Sequence, residues 1–434
     1  MRKIALINHG CAKNLVDSEL MLGKLADNGY KITLDETKAD IVIINTCSFI
    51  NDAEKESVQS IFEMISAGKK VIITGCLPQK HKKELQELIP EALAFLGTSD
   101  IDKIVDVVKK VTKNKEVRYE VNESPEYNYP EDIKRQQITM GASSYIKIAE
   151  GCNFDCGYCI IPKLRGPYKS RKIENIVKEA KELAQKGVNE IVLIAQDTTS
   201  YGKDIYGKPS LSELLVELNK IKELSWIRIM YTYPSLITDK LLTTINELDK
   251  VVKYIDVPLQ HVSKNILEAM NRPVMDNRKL IQKIRKLVPT AAIRTTFIVG
   301  YPTETEEDFQ ELYDFIKEMK IDRVGVFEFS KEKNTKAYSL KPQILAKVKK
   351  QRKKQLMELQ QSVSKEINKK LIGKNVDCII EAINSDGTII GRTYKDAPEV
   401  DGLVFINTDE IIEPGDIITA KITGAVEYDL IAEY

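Results

Sequence analysis

The sequence predicts an α/β protein made of three parts: an N-terminal doubly wound parallel sheet, a central partial (β/α)6 barrel and a small C-terminal all-β barrel of the OB type. In two stretches, short β-branched runs alternate with helical patterns, which is typical of parallel sheets covered by helices. In the last stretch, short β-branched runs alternate with Gly, Asn and Asp turns, which is typical of a small β-barrel. A chain of 434 residues is long enough for two or three such domains.

The composition is ordinary for a globular protein, with 30% charged and 43% hydrophobic residues. No apolar run is long enough to span a bilayer, and the first residues read as a β-strand rather than as a signal peptide. We therefore expect a cytoplasmic protein with no membrane partner. Cysteines stay reduced in that compartment, so the seven cysteines indicate metal or redox chemistry rather than disulfides.

Residues 1–112 are predicted to form the first domain, in which each strand is followed by a helix. The predicted strands are Lys3–Asn8, Asp40–Thr46 and Lys70–Gly75, and the predicted helices are Asp17–Asn28, Ala53–Ser66 and Gln79–Leu88. Cys11, Cys47 and Cys76 each lie just past the end of one strand. Because the carboxyl ends of parallel strands line the ligand-binding edge of a sheet, we expect these cysteines to meet there. Three unrelated buried cysteines are the alternative, which is disfavoured because all three occupy equivalent positions.

A polar segment, residues 113–141, is predicted to link this domain to the central barrel, residues 142–343. Six strands are predicted in the barrel: Tyr145–Ala149, Glu190–Ala195, Trp226–Met230, Tyr254–Val257, Ala292–Val299 and Arg323–Phe329. Six β/α units are too many for one nucleotide-binding half and too few for a closed eight-fold barrel. A partial barrel fits, and its site is expected at the carboxyl ends of the strands.

Three further cysteines, Cys152, Cys156 and Cys159, follow the first of these strands with the spacing C-x3-C-x2-C. Three thiolates can hold a four-iron cluster in which one iron has no protein ligand, and that open iron can bind and reduce a small molecule. A structural zinc site needs a fourth nitrogen or sulfur ligand, and none lies close by in the sequence. The spacing therefore favours chemistry at the metal.

A long helix, residues 344–371, is predicted to lead into the last domain, residues 372–434. The helix is rich in Lys and Arg, which we interpret as a solvated face rather than an RNA contact because aromatic residues are scarce in it.

The strands of the last domain are predicted at Asp377–Ile383, Thr388–Arg392, Leu403–Ile406 and Ile417–Ile422. This domain has thirteen acidic residues and four basic ones, which favours a basic protein as its partner and leaves direct nucleic-acid binding open. Acidity for solubility alone is the alternative.

Four stretches of the chain carry a resemblance to a known family: Gly10-Cys-Ala-Lys-Asn-Leu-Val-Asp-Ser-Glu19, Asn45-Thr-Cys-Ser-Phe-Ile50, Cys159-Ile-Ile-Pro-Lys-Leu-Arg-Gly166 and Asp396-Ala-Pro-Glu-Val-Asp-Gly402. With the cysteine motif, the three upstream cysteines and the terminal barrel, they resemble the methylthiotransferases of the radical S-adenosylmethionine superfamily, whose last domain is called TRAM. The resemblance is closer to the branch that modifies a ribosomal protein than to the tRNA-modifying, MiaB-type branch, and it covers essentially the whole chain. One departure is His9, where an apolar residue is expected.

The resemblance implies a radical enzyme with two [4Fe-4S] clusters, one held by Cys152, Cys156 and Cys159 and one by Cys11, Cys47 and Cys76. The first would bind S-adenosylmethionine and cleave it to a 5′-deoxyadenosyl radical that takes hydrogen from the substrate carbon, and the second would carry the sulfur. The implied substrate is the small, basic ribosomal protein S-twelve, methylthiolated at the β-carbon of an aspartate. An electron donor such as flavodoxin or ferredoxin is also expected. A tRNA adenosine methylthiotransferase and a non-catalytic iron–sulfur protein are the alternatives.

Five residues beside the cysteine motif or near the carboxyl ends of barrel strands are predicted to contact S-adenosylmethionine: Tyr158, Gln196, Arg294, Ile298 and Gly300. Arg294 would reach its carboxylate, and a glycine at Gly300 would let the adenine approach the backbone; for Tyr158, a structural aromatic is the alternative. Three acids of the last domain, Asp396, Glu399 and Asp401, are predicted to contact the basic partner. The seventh cysteine, Cys378, is expected to be part of the core, and no catalytic residue is predicted beyond the cluster ligands.

Overall fold

The computed structural model describes residues 2–48, 50–113, 119–132, 135–138 and 141–434, and the chain divides into two compact units. The first unit holds Met1–Met140, Ala149–Asp155 and Cys159–Lys169, and the second holds Gly141–Ile148, Cys156–Tyr158 and Ser170–Tyr434. The predicted linker, residues 113–141, lies partly outside the described residues. Within the described ranges, no helix is both long and apolar enough to cross a membrane.

The first unit begins with a parallel sheet and its covering helices. Its elements are β1 (Lys3–Asn8), α1 (Ala12–Asp27), β2 (Lys31–Ile32), β3 (Ile41–Thr46), α2 (Asn51–Ser66), β4 (Lys70–Gly75), α3 (Cys76–His81), α4 (Lys83–Leu88), β5 (Ala94–Leu96), α5 (Ile104–Thr112) and β6 (Tyr119–Glu120). The six strands are all parallel and lie in the order β2-β1-β3-β4-β5-β6. Every residue of β3 is buried, as expected for a central strand with both faces covered. The predicted parallel sheet is therefore confirmed.

Three strands and two helix boundaries differ from the pattern in the sequence. β2, β5 and β6 have only two or three residues each, which is too short for a periodic signal. α1 begins at Ala12 rather than at Asp17 and follows directly on Cys11. The segment predicted as one helix, Gln79–Leu88, is two helices separated by Lys82, whose φ of 53° is left-handed and ends the first of them.

The central stretch of the chain continues the alternation of strands and helices. Its elements are β7 (Ser143–Lys147), β8 (Ala149–Glu150), α6 (Ile161–Arg165), β9 (Lys169–Ser170), α7 (Ile173–Ala184), β10 (Glu190–Ile194), α8 (Lys203–Tyr206), α9 (Leu211–Asn219), β11 (Trp226–Ile229), α10 (Asp239–Glu247), β12 (Tyr254–Asp256), α11 (Lys264–Ala269), α12 (Asn277–Leu287), β13 (Ala292–Val299), α13 (Glu306–Met319) and β14 (Arg323–Glu328). In the second unit, six of these strands form two parallel sheets, β11-β10-β7 and β12-β13-β14. These are the six strands that the sequence predicts for a partial barrel, with ends shifted by at most two residues.

Alternation along β13 shows which face of this sheet is open. Phe297 is fully buried and its ring packs edge-on against Phe315 of α13. On the other face, Arg294, Thr296 and Ile298 remain partly exposed. Because side chains alternate along a strand, this second face lines the interior of the partial barrel, and it carries two of the residues predicted to contact S-adenosylmethionine.

The last part of the chain is a helix followed by a closed barrel. Its elements are α14 (Ala346–Lys369), β15 (Asn375–Ile383), β16 (Ile389–Thr393), β17 (Val404–Asn407), β18 (Ile417–Ala425) and β19 (Leu430–Glu433). The barrel closes in the order β15-β16-β17-β19-β18, with β18 pairing back onto β15. The predicted five-stranded barrel is therefore confirmed, although the sequence pattern located only four of its strands. Cys378 is fully buried in its core, as expected.

The terminal barrel is joined to the partial barrel by a buried group of charges. Glu190, the first residue of β10, pairs with Arg228 at 2.7 Å and with Arg392 of β16 at 2.5 Å. All three side chains are at most 1% exposed. Burial tends to raise the pKa of Glu190, but the charges of Arg228 and Arg392 outweigh it and lower the pKa to about 2. The carboxylate is therefore ionised and fixes β16 against two barrel strands, β10 and β11.

His261 is a buried, neutral side chain in the loop after β12. It is 0% exposed, and its Nδ1 accepts a hydrogen bond from the backbone N–H of Ser263 at 3.1 Å. Burial lowers its pKa from 6.5 to about 4, with Asp308 opposing and Arg352 adding to the effect. The imidazole is therefore a structural acceptor near neutral pH.

This environment predicts a pH-dependent contribution of His261 to stability. The folded-state pKa lies below the unfolded value, so the contribution is complete above the unfolded pKa and is lost as pH falls from 6.5 toward about 4. At about pH 5 the loss should be about 2 kcal/mol. His261→Asn, which keeps an acceptor near the Nδ1 position but does not titrate, should remove that part of the pH dependence. Urea denaturation at about pH 7.5 and about pH 5 would measure it; an unchanged difference between the two pH values in the variant would contradict the assignment.

Candidate iron–sulfur and cofactor site

The three upstream cysteines lie at one edge of the sheet in the first unit. Cys11 directly precedes α1, while Cys47 and Cys76 directly follow β3 and β4. At Gly10, where φ is +115°, an added Cβ would lie 3.0 Å from the Cβ of Cys47 and 3.4 Å from its Sγ. The chain before Cys11 therefore passes closely over Cys47, which requires glycine. The structure thus brings together the strand ends that carry these cysteines.

Two polar side chains contact the sulfurs of this set. The thiol of Cys11 lies 3.9 Å from Oδ1 of Asn14, and Nη2 of Arg165 lies 3.8 Å from Sγ of Cys76. Asn14 is itself held by hydrogen bonds from its Nδ2 to the backbone oxygens of Thr46 and His9. Burial raises the pKa of the Cys76 thiol, and the charge of Arg165 opposes that rise.

Arg165 is the most highly connected side chain near these cysteines. It is 3% exposed, and its Nη1 donates to Asp17 at 2.7 Å and to Glu150 at 3.1 Å, while its Nη2 donates to Asn14. Only a guanidinium offers enough donors in a fixed plane for this set of acceptors. Neither Arg165 nor Asn14 was predicted from the sequence to have a role, although both lie in stretches that carry the family resemblance.

The donor set fits an iron–sulfur cluster by its chemistry. Three thiols come from one sheet edge, and a buried cation contacts one of the sulfurs. In addition, Nε2 of His9, two residues before Cys11, is buried and lacks a hydrogen-bond partner among the described residues. A nitrogen in that position can donate to a cluster sulfide or thiolate. Over the described part of the chain, no three His, Cys, Asp or Glu side chains are already grouped at metal-binding geometry.

The loop of the second cysteine set is fixed at both of its ends. In the first unit, the backbone N–H of Cys152 donates to Gly166 O at 3.1 Å, and the N–H of Phe154 points to Sγ of Cys152 at 3.4 Å. In the second unit, the N–H of Gly157 donates to Met270 O at 2.7 Å. An added Cβ at Gly157 would lie 2.7 Å from the hydroxyl of Tyr301, so this position between Cys156 and Cys159 needs glycine.

Two of the predicted cofactor residues share an apolar cluster in the second unit. Tyr158 and Ile298 pack against the buried side chains of Ile266, Met270 and Tyr301. Both keep partly exposed surface, so they can form one apolar wall. Gln196 lies two residues past the end of β10, at the carboxyl edge of the strands. The cofactor contacts of these three residues remain predictions.

Arg294 and Gly300 have surroundings that differ from those predicted from the sequence. Arg294 Nη1 donates to Oδ1 of Asp256 at 3.1 Å, and its Nε lies 3.5 Å from Oδ1 of Asp401, so its guanidinium already has two carboxylate partners within the chain. Gly300 has a φ of +69°, and an added Cβ would lie 2.3 Å from Cγ of Lys349 on α14. The expectation that a ligand approaches the backbone at Gly300 is therefore corrected, because the side chain of Lys349 occupies that space.

The acidic segment of the terminal barrel also requires a correction. Asp396 is 2% exposed and pairs with Arg323, and Asp401 is 4% exposed, beside Arg294 and the hydroxyl of Tyr254. A carboxylate that is buried against an arginine of its own chain is not presented to another protein. The prediction that these two residues contact a basic partner is therefore wrong for this structure. Glu399 is exposed, and its contact with a partner remains a prediction.

Comparison with sequence families gives three matches along the chain. The Radical SAM superfamily matches residues 146–316, the Uncharacterized protein family UPF0004 matches residues 3–97, and the TRAM domain matches residues 372–434. The first covers the cysteine motif and most of the partial barrel but ends before β14, the second covers the three upstream cysteines, and the third covers the closed barrel.

Solved structures share the fold at low sequence identity. The radical S-adenosylmethionine methyltransferase TsrM from Kitasatospora setae superposes with a TM-score of 0.55 and 13% identity, covering 75% of this chain and 73% of that one. The cobalamin-dependent S-adenosylmethionine radical enzyme OxsB superposes with a TM-score of 0.51 and 12% identity, covering 82% of this chain and 56% of that one. These likenesses support the architecture alone.

Relatives in sequence match the chain from end to end. A protein of Caldanaerobacter subterraneus named ribosomal protein uS12 methylthiotransferase RimO is 50% identical over all of both chains. The protein of the same name from Clostridioides difficile is 46% identical over 100% of this chain and 99% of its own. Identity of this extent, together with the three matching domains, places the chain in the RimO family of radical S-adenosylmethionine methylthiotransferases.

Proposed function

We propose that this protein attaches a methylthio group to the β-carbon of an aspartate in ribosomal protein uS12. The observation that carries the proposal is the pair of three-cysteine sets in a chain that matches proteins of this name over its full length. The site geometry adds that the upstream set lies at the carboxyl edge of a parallel sheet and has polar side chains directed at its sulfurs.

Six cysteines would hold two [4Fe-4S] clusters: Cys11, Cys47 and Cys76 for one, and Cys152, Cys156 and Cys159 for the other. With S-adenosylmethionine and an electron from a donor such as flavodoxin or ferredoxin, the clusters would supply radical cleavage of an unactivated C–H bond and a sulfur to replace the hydrogen. The side chains of this protein cannot perform that cleavage by acid–base chemistry alone.

The other residues of the site would bind and orient. Arg165 would donate to the sulfur of Cys76, and Asn14 would hold the loop of Cys11 against β3. Tyr158 and Ile298 would form an apolar surface that keeps water away from S-adenosylmethionine, and Gln196 would offer an amide at the strand edge. The contacts of Arg165, Asn14, Tyr158 and Ile298 within their own units support these roles, and the position of Gln196 past β10 supports its role.

The charge of the terminal barrel suits a basic substrate even after Asp396 and Asp401 are excluded. Seven of its acidic side chains are exposed in addition to Glu399: Asp377, Asp386, Asp409, Glu410, Glu413, Asp416 and Glu433. Opposite charge speeds and orients the encounter with a basic protein. The loop between β17 and β18 holds four of the seven, so it is the part of the barrel most suited to this contact.

Iron content tests the two-cluster assignment. The reconstituted protein should contain about eight irons per chain, and replacing Cys152, Cys156 and Cys159 with Ala should remove about half of them. Replacing Cys11, Cys47 and Cys76 should remove the other half. Cys378→Ala is the matched control, because this cysteine is buried in the terminal barrel and should change nothing. A wild-type content that stays near four irons per chain would exclude two clusters.

Product analysis separates the roles of the two cysteine sets. The variant lacking Cys11, Cys47 and Cys76 should still release 5′-deoxyadenosine from S-adenosylmethionine and a reductant, but it should form no methylthio product on uS12. The variant lacking Cys152, Cys156 and Cys159 should form neither product. Mass spectrometry of both products from the same reactions would decide; methylthio-uS12 from the first variant would show that the sulfur does not depend on the upstream set.

Charge reversal tests the surface that meets the substrate. Changing Asp409, Glu410 and Glu413 to Lys should raise the dissociation constant for free uS12, since the exposed acids attract a basic protein. The difference from wild type should shrink as salt is raised, because salt screens exposed charges.

The matched control for this test reverses three exposed acids of the first unit. Changing Glu84, Glu87 and Glu91 to Lys alters the net charge equally at a distant part of the sequence. Fluorescence titration of labelled uS12 would compare the two variants. Equal weakening by both would mean that net charge, rather than the loop between β17 and β18, governs the encounter.

A further inference from the structure

A line of three polar contacts runs from the terminal barrel to the carboxyl end of β11. Oδ1 of Asp401 lies 3.5 Å from Nε of Arg294. Nη1 of Arg294 donates to Oδ1 of Asp256 at 3.1 Å, and the other carboxylate oxygen, Oδ2, accepts the backbone N–H of Tyr231 at 2.8 Å. These contacts lie within the second unit and join four separate parts of the fold.

The two carboxylates that carry this line are buried, and Arg294 between them is partly exposed. Asp256 is 0% exposed, Asp401 is 4% exposed and Arg294 is 15% exposed. Oδ2 of Asp401 also accepts the hydroxyl of Tyr254 at 2.6 Å and the backbone N–H of Ala397 at 2.9 Å. Asp401 therefore has little freedom to move, and it contacts a different nitrogen of Arg294 from the one that Asp256 accepts.

Tyr231 is a position where such support is needed. Its φ of +61° is left-handed, a conformation that costs a residue with a side chain of this size about 1 kcal/mol or more. Asp256 stabilises the turn twice, because its carboxylate accepts from Tyr231 and its backbone oxygen accepts from the N–H of Thr232 at 3.0 Å. The orientation of the Asp256 carboxylate thus helps to fix the turn.

The turn at Tyr231 is tied to the next loop of the barrel edge. The backbone oxygen of Tyr231 accepts the N–H of Thr198 at 3.0 Å, and Oγ1 of Thr198 donates to Met230 O at 2.9 Å. Thr198 lies two residues from Gln196, one of the residues predicted to contact S-adenosylmethionine. Two neighbouring loops at the carboxyl edge are therefore set by one buried carboxylate.

We propose that Asp401 of the terminal barrel is a positioning residue for S-adenosylmethionine binding. It holds Arg294, which orients Asp256, which in turn fixes the loops that contain Tyr231 and Thr198. Without the Asp401 carboxylate, Arg294 would be free to shift toward the remaining carboxylate and to turn Asp256 away from the N–H of Tyr231. The inference rests on the proposed function, since it assumes that these loops border the S-adenosylmethionine site.

Asp396 provides a matched control for this proposal. It lies in the same segment, is buried to a similar degree and pairs with another arginine of the partial barrel, Arg323. The bonds of Arg323 go to Asp396 and to the backbone oxygen of Asp322, and not to Asp256. Replacing Asp396 therefore weakens the docking of the terminal barrel without breaking the line to Tyr231.

The experiment measures S-adenosylmethionine binding by equilibrium dialysis on the reconstituted full-length protein. Asp401→Asn should raise the dissociation constant about 3-fold to 30-fold, the range of couplings carried by residues that do not touch the ligand. Asp396→Asn should change the dissociation constant less than about 2-fold. It should nevertheless lower the thermal unfolding temperature by about as much as Asp401→Asn does. Asp401→Glu, which keeps the charge, should recover part of the lost affinity. The change that S-adenosylmethionine causes in the electron paramagnetic resonance spectrum of the reduced protein gives a second readout.

The outcomes separate this inference from the proposed function. Unchanged affinity in Asp401→Asn, or equal weakening by both asparagine variants, would overturn the positioning role while leaving the proposed function intact. A wild-type protein that binds no S-adenosylmethionine would overturn the proposed function itself. Should Asp401→Asn fail to fold, Tyr254→Phe removes one bond to Asp401 and should weaken binding in the same direction.

Discussion

The ionised carboxylate of Glu190, clamped between Arg228 and Arg392, is the interaction on which the arrangement of the second unit depends. It is fully buried and joins the start of β10 and the third residue of β11 to β16 of the terminal barrel. A buried pair adds little net stability when complete, but losing one partner leaves an unpaired charge that costs about 3–5 kcal/mol. Apolar surfaces can slide over one another, whereas a carboxylate whose two oxygens are each held by a different arginine has one register. The clamp therefore specifies where the segment that contains Asp396 and Asp401 must lie.

The fold and the position of the upstream cysteines at the sheet edge could be predicted from the sequence for one reason: their signals are local. Apolar runs such as β1 and β4 mark their own boundaries, and a cysteine immediately after a parallel strand has its place set by that strand. The C-x3-C-x2-C spacing is equally local. Short elements were missed where too few residues carry a pattern, as in β2 and β19. The helix break at Lys82 was missed because nothing in the residue type indicates a left-handed φ.

The rest of the site could not be predicted because its contacts join residues far apart in the chain. Asp396 finds Arg323 73 residues away, and Arg165 reaches Asp17 148 residues away. In the sequence, each of these residues shows only that it is charged, and charged residues are usually exposed, so nothing indicates a buried partner. The acidic character of the terminal barrel was correctly recognised, but the most distinctive acids were assigned to a partner when they are used inside the chain. Within residues 396–402, Asp396 and Asp401 thus hold the terminal barrel against the partial barrel, whereas Glu399 is exposed.

Two populations of acids in one small barrel have different physical behaviour. Buried carboxylates such as Asp401 are shielded from mobile ions by the protein around them, so their attraction to Arg294 should persist at high ionic strength. Exposed carboxylates such as Asp409 and Glu410 interact across water, where salt at 0.1 M screens beyond about 10 Å. Salt should therefore weaken the encounter with a basic protein while the position of the terminal barrel on the partial barrel is retained. Under the proposed function, this separation would let one domain hold the loops of the reaction site in place and still release a modified product, because the acids proposed to position the site and the acids proposed to attract the substrate are different residues.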